Sequence, residues 1–62
     1  MTQREGQMLE RIAEGLSVAD IAAELHLSQA TVKTHLRSLY AKLEVSERAA
    51  AVAAGMRRGL LT

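Results

Sequence analysis

Apolar residues recur through the segment 28–43 at the spacing of an α-helix. The apolar positions, at intervals of four, three and four residues, are Val32, Leu36, Leu39 and Leu43. At about 100° per residue, these side chains share one narrow stripe along a helix. The pattern therefore predicts a helix that is buried along one side and exposed along the other.

The side of this helix opposite the apolar stripe is polar and basic. Lys33, Arg37 and Thr34 lie at about 100°, 140° and 200° around the axis from the first residue of the stripe. The segment contains no Asp or Glu. A basic amphipathic helix by itself is most often only a solvated surface helix. The interpretation of this face therefore depends on what precedes it in the chain.

Helical spacing elsewhere predicts three further helices, over about 3–14, 18–25 and 47–58. Each helix is preceded by a hydroxyl residue suited to cap its first turn. The predicted N-caps are Thr2, Ser17, Ser28 and Ser46. The first two of these begin a capping-box pattern, with an acid three residues later. Glycines predicted to end helices in a left-handed conformation are Gly15 and Gly59.

The second and third helices are separated by a turn of about three residues, 26–28. A short helix, a tight turn and a longer helix together describe a helix-turn-helix. A hairpin of two packed helices needs no DNA to explain it, so this pattern alone leaves the function open. We expect one all-α domain over residues 1–62, with four helices.

Alanine dominates the predicted fourth helix. Val52, Gly55 and Met56 are predicted to face inward, with Ala51 beside them. The small residues left on the outer surface are Ala49, Ala50, Ala53 and Ala54. These alanines either raise helix propensity only or let two copies of the helix pack closely as a dimer.

Composition excludes several classes of function. The chain has no cysteine, so it forms neither a disulfide nor a thiolate metal site. Tyr40 is its one aromatic residue, which argues against a platform for stacking single-stranded bases. No apolar run approaches the ~20 residues of a membrane span. We find no nucleophile paired with a base and no glycine-rich phosphate loop, and therefore expect no enzyme, no cofactor and no metal.

The net charge of +1 conceals a polarised distribution. Residues 1–25 contain two cations and five carboxylates, a net charge of −3. Residues 26–62 contain six cations and two carboxylates, a net charge of +4. A small domain polarised in this way can attract a polyanion to one side.

Several motifs together resemble one family. They are Thr2-x-Arg4-Glu5, Glu14-Gly15-Leu16-Ser17 with Ile21-Ala22, Thr31-Val32-Lys33-x-His35, Lys42-Leu43-x-Val45 and Gly59-Leu60-Leu61. In this combination the chain resembles the LuxR-type helix-turn-helix domain, the DNA-binding output module of many bacterial response regulators and quorum-sensing regulators. The resemblance covers essentially the whole chain.

The resemblance implies that the third helix lies in the DNA major groove. The positions that match base-edge readers are Lys33, Thr34 and Arg37. The positions that match phosphate contacts are Ser28, Gln29, Thr31, His35 and Lys42. The family often dimerises through its last helix, here 47–58. The expected partners are thus double-stranded DNA, a second copy and RNA polymerase, with no membrane, and the expected location is the bacterial cytoplasm, on the nucleoid.

Two positions depart from the family's pattern. Glu44 stands where glycine is usual, and a left-handed backbone there costs a non-glycine residue about 1–2 kcal/mol. Gly6 stands where a charged helix former is common. Two other functions remain open at this point. One is the promoter-reading domain of a sigma factor, which shares part of the motif set, and the other is a small helical module for protein interaction or dimerisation.

Overall fold

The computed structural model describes residues 1–61, which form four α-helices. They are α1 (Gln3–Ala13), α2 (Val18–Leu25), α3 (Gln29–Leu43) and α4 (Arg48–Arg57). Helix α3 packs against each of the other three, and α1 also packs against α4. Within the described residues there is no strand, and no helix is both long and apolar enough to cross a bilayer. The all-α helix-turn-helix prediction is confirmed.

The first three helices begin where their hydroxyl caps predict. The Thr2 hydroxyl accepts a 3.2 Å hydrogen bond from the Glu5 amide, and the Glu5 carboxylate accepts one of 2.9 Å from the Thr2 amide. The same reciprocal pair joins Ser17 and Asp20 at 3.1 and 3.2 Å. Each capping box satisfies two amides that a helix start leaves unpaired. The Ser28 hydroxyl caps α3 as well.

Only some of the helices end at a glycine in the left-handed conformation. Gly15 and Gly59 have φ of 88° and 72°, as predicted. Helix α1 ends at Ala13, one residue earlier than predicted. Helices α2 and α3 end instead on non-glycine residues, His26 and Glu44, each with φ of 57° and ψ of 43°. The left-handed conformation that glycine favours thus occurs at position 44, where this chain has a glutamate.

The core is aliphatic and is built around the stripe of α3. Hydrophobic residues exposed by 6% or less form one cluster, comprising Met8, Leu9, Ile12, Ile21, Ala22, Val32, Leu36, Leu39, Leu43, Ala51 and Ala54. Leu27 of the turn and Leu61 pack against it. The neighbouring Leu60 stays 44% exposed, so only one of the two terminal leucines folds onto the core.

The orientation of α4 differs from the prediction. Gly55 is buried as predicted, and Val52 is half-buried against the core. Met56 is instead 60% exposed, and Ala51 and Ala54 are buried. The inward face is therefore rotated away from Met56 and toward Ala54. Small side chains on that face let the helix approach closely, since a Cβ on Gly55 would lie 3.0 Å from the Leu9 side chain. Ala54, predicted in the outer surface, is 1% exposed and is excluded from any dimer contact.

The start of α4 also differs. Its N-cap is Glu47 rather than Ser46, with φ of −150° and no capping hydrogen bond from its side chain. The first helical hydrogen bond runs from the Ala51 amide to the Glu47 carbonyl at 3.0 Å. The helix consequently begins at Arg48, one residue later than predicted, and its first turn lacks a side-chain cap.

Candidate nucleic-acid interface

Helix α3 is held rigidly along one side. Its four buried residues, Val32, Leu36, Leu39 and Leu43, are 0–6% exposed. Each fully buried aliphatic side chain contributes about 1.5–3 kcal/mol relative to its exposed state. Because α1, α2 and α4 all contact α3, its position and rotation are fixed by the whole fold. The opposite side of α3 is therefore presented in a defined orientation.

That opposite side carries two cations without partners. Lys33 and Arg37 are both exposed. Among the described residues, the ion pairs and hydrogen bonds of the protein engage neither charged group. The two residues are four positions apart in the helix, so they lie about 6 Å apart along its axis and about 40° apart around it. The structure thus brings together the two cations that the sequence assigned to the reading face.

Thr34 lies about 60° beyond Arg37 around the helix axis and is exposed, but its hydroxyl already donates a hydrogen bond within the helix. It donates a 3.1 Å hydrogen bond to the Ala30 carbonyl, four residues earlier in α3. Bonding of this kind is common for a threonine within a helix. Thr34 therefore offers a methyl group and acceptor lone pairs to a ligand, but not its hydroxyl proton.

The N-terminal end of α3 is polar and exposed. The Ser28 hydroxyl accepts a 3.1 Å hydrogen bond from the Thr31 amide and donates one of 2.9 Å to the Thr31 hydroxyl. Ser28 and Gln29 are exposed, and Thr31 is half-buried. The first amides of a helix carry partial positive charge and suit an anion such as a phosphate. His35 is half-buried at the edge of the apolar stripe.

Lys42 is placed differently from the other predicted contacts. Its ammonium group lies 2.8 Å from a carboxylate oxygen of Glu5, and its side chain is 48% exposed. It therefore already has an anionic partner within the protein.

Glu5 contacts α3 in a way that the sequence does not predict. It is 2% exposed, and its carboxylate accepts hydrogen bonds from Lys42, Ser38 and the Thr2 amide. The hydrogen bond from Lys42, followed by those from Ser38 and Thr2, lowers the pKa of Glu5 to about 2, against the opposing effect of burial. The sequence signals only its capping role, because its partners on α3 lie 33 and 37 residues away.

Most carboxylates of residues 1–25 are exposed on helices other than α3. Four of these carboxylates are exposed. Glu10 lies in α1, Glu14 follows the end of α1, and α2 contains Asp20 and Glu24. Glu24 pairs with Arg11 at 3.0 Å, which joins α1 to α2. Segment 28–43 has no carboxylate of its own, and among residues 1–61 the carboxylate bonded to its side chains is that of buried Glu5. The exposed side of α3 is consequently cationic.

Comparison with known proteins identifies the family to which this four-helix domain belongs. The family model described as "Bacterial regulatory proteins, luxR family" matches residues 1–54. The chain belongs to the luxR family. This membership confirms the predicted class, a LuxR-type helix-turn-helix DNA-binding domain of transcription regulation. It favours that class over the sigma-factor alternative.

Two relatives match this luxR-family domain over nearly its whole length. The probable transcriptional regulatory protein NarL of Mycobacterium tuberculosis, strains CDC 1551 / Oshkosh and ATCC 25618 / H37Rv, is 56% identical over 61 residues. That alignment covers 98% of this chain and 28% of NarL. The crystal structure of the response regulator ChrA, from a heme-sensing two-component system, superposes with a TM-score of 0.94 at 43% identity. It covers 97% of this chain and 30% of ChrA. The chain thus spans less than a third of either relative.

Proposed function

We propose that residues 1–62 act as the output domain of a bacterial response regulator, which places α3 in the major groove of a specific duplex site. The single observation that carries this proposal is the pair Lys33 and Arg37. Both are exposed on the side of α3 opposite its buried stripe, and neither forms an ion pair within residues 1–61. The membership in the luxR family supports it. NarL and ChrA, by their names, are a probable transcriptional regulator and a response regulator.

The spacing of the two cations suits neighbouring base pairs. Their separation of about 6 Å along the helix is about two base-pair steps of about 3.4 Å. Arg37 can bond O6 and N7 of a guanine through two parallel hydrogen bonds, and Lys33 can reach the same acceptors. Thr34 presents its methyl group, which suits the methyl group of thymine. These three residues are the proposed base readers.

The proposed phosphate contacts flank the reading face. They are Ser28, Gln29, Thr31 and His35, at and just after the N-terminal end of α3. Phosphate contacts position a recognition helix without reading sequence, and they make the affinity depend on salt. Lys42 matches a phosphate position in the family, but in this protein its ammonium group is bound to Glu5.

We further propose that two copies pair through the outer side of α4. Ala49 and Ala53 are exposed, and Ala50 is half-buried. Small side chains there allow close contact of two helices. The dimer would bind two half-sites about 34–36 Å apart, one turn of the duplex. RNA polymerase is a further partner of this assembly, which acts without catalysis in the cytoplasm, on the nucleoid.

Selection of bound duplexes from a random library tests this function. We expect the wild-type domain to enrich a short motif. Arg37→Ala and Lys33→Ala should each weaken binding to that motif by about 5- to 150-fold, which corresponds to about 1–3 kcal/mol. Arg57→Ala is the matched control, since Arg57 is an exposed cation at the far end of α4. Equal loss in Arg37→Ala and Arg57→Ala would mean that charge alone is recognised. Enrichment of no motif by the wild-type domain would refute sequence-specific binding.

A further inference from the structure

The Glu5 carboxylate joins the first turn of α1 to the C-terminal half of α3. One of its oxygens accepts hydrogen bonds from the Lys42 ammonium at 2.8 Å and from the Thr2 amide at 2.9 Å. The other oxygen accepts a hydrogen bond from the Ser38 hydroxyl. Ser38 and Lys42 lie one turn apart on α3, so the carboxylate holds the helix at two successive turns. Glu5 is the one buried charged residue among those described.

The position of this cluster on α3 separates it from the reading face. At about 100° per residue, Lys42 points about 180° away from Lys33 and about 140° away from Arg37. It also lies about 13 Å beyond Lys33 along the axis, at about 1.5 Å per residue. If Lys42 turned to a phosphate, Glu5 would stay buried with a negative charge and no cation, which is strongly unfavourable. We therefore expect Lys42 to keep its ion pair with Glu5 when DNA binds.

Contact at two turns fixes the rotation of a helix about its own axis. A rotation of about 20° would displace a group about 6 Å from the axis by about 2 Å. Hydrogen bonds to base edges need donor–acceptor distances of about 2.7–3.2 Å. A small rotation of α3 would therefore be enough to break the contacts of Lys33 and Arg37. An aliphatic stripe alone restrains such rotation less sharply, because its contacts are non-directional.

We propose that Glu5 is a positioning residue for base recognition, which holds Ser38 and Lys42 so that α3 keeps the rotation its base readers need. In this assignment Lys42 neutralises the buried Glu5 carboxylate and makes no phosphate contact. The inference rests on the proposed DNA-binding function and adds to it the element that aligns the recognition helix.

A paired substitution tests this assignment without leaving a buried charge unpaired. Glu5→Gln with Lys42→Met keeps the net charge of the protein and the approximate size of both side chains. Binding is measured over a range of salt concentrations to two duplexes. One is the motif that the wild-type domain selects from a random library, and the other is its scrambled sequence. Circular dichroism at the binding temperature checks that the variant is folded.

We expect the salt dependence to separate the alternatives. The slope of log affinity against log salt should match that of the wild type, because no phosphate contact is lost. The ratio of selected to scrambled affinity should fall by about fivefold or more, the effect of losing one good base contact. A slope reduced by about 0.9 would place Lys42 on a phosphate and overturn the assignment. An unchanged ratio in the folded variant would reduce the cluster to a structural role and overturn it equally.

Two controls keep this failure distinct from failure of the proposed function. Lys33→Ala must lower the same affinity ratio, and if it does not, α3 is not the reading element at all. Arg57→Met, which removes an exposed cation from the end of α4, should leave the ratio unchanged. A normal result for Lys33→Ala combined with an unchanged ratio in the paired variant refutes the role of Glu5 alone.

Discussion

Replacing Glu44 with glycine should stabilise the domain by about 1 kcal/mol. Glu44 ends α3 in the left-handed conformation, with φ of 57° and ψ of 43°. Such a conformation costs a residue with a Cβ about 1–2 kcal/mol. Glycine removes that cost but loses about 0.4–1 kcal/mol through the greater freedom of its unfolded chain. Removing a carboxylate from the C-terminal end of a helix adds about 0.3–1 kcal/mol.

The surroundings of Glu44 allow this gain to be realised. Its side chain is exposed, and the turn is held by backbone hydrogen bonds, from the Glu44 amide to Ala41 at 3.2 Å and from the Val45 amide to Tyr40 at 3.0 Å. Those bonds do not involve the side chain, so glycine keeps them. For a domain of this size, about 1 kcal/mol raises the melting temperature by about 4–8 °C.

Thermal and urea unfolding, followed by far-UV circular dichroism, measure the effect. Glu44→Ala is the matched control, because it removes the carboxylate but keeps the Cβ. We expect Glu44→Gly to be more stable than Glu44→Ala, and Glu44→Asn to lie between them because asparagine tolerates the left-handed region. If glycine and alanine give the same free energy of unfolding, backbone strain at this position contributes nothing and the reasoning fails.

Three further predictions concern stability. Because the pKa of Glu5 is lowered to about 2 in the folded protein, its ionisation stabilises the fold above its ordinary pKa of 4.5. This contribution, about 3 kcal/mol, should be lost as the pH falls from about 4.5 through about 2, and urea titrations of Glu5→Gln should lack that part of the pH dependence. Gly6→Ala, in open space inside α1, should stabilise by about 0.5–1 kcal/mol. Gly55→Ala has the same helix-propensity gain, but its Cβ would lie 3.0 Å from side-chain carbons of Leu9 and Leu61, so we expect it to be less stable than Gly6→Ala by about 1–3 kcal/mol. Equal stability of the two alanine variants in thermal melts would contradict the described packing.

The sequence predicted α3 well because its pattern has strong contrast. Val32 and Leu36 alternate with charged residues at helical spacing, so one rotation of the helix buries far more apolar surface than any other. The exposed positions of Lys33 and Arg37 follow from that rotation. The hydroxyl caps of the first three helices were predictable for a similar reason, since a capping box involves residues only three positions apart.

The rotation of α4 was not predictable from the pattern. Its alanine run offers almost no contrast between faces, and the hydrophobic gain of burying Met56 favoured the wrong one. In the structure, close approach to α1 decides the rotation, because Gly55 fits against Leu9 where a larger side chain would be crowded. The contacts of Glu5 with α3 were not predicted for another reason. Its hydrogen bonds with Ser38 and Lys42 join residues far apart in the sequence, so no local pattern indicates them.

The central claim is that Arg37, together with Lys33, reads base edges in the major groove. A double-substitution cycle tests it most directly. Each guanine of the selected motif is replaced in turn by 7-deazaguanine, which lacks the N7 acceptor, and binding of the wild-type domain is compared with that of Arg37→Ala. At one guanine we predict a clear loss for the wild type and almost none for Arg37→Ala, a coupling of about 1–3 kcal/mol. Additive losses at every guanine would contradict the account.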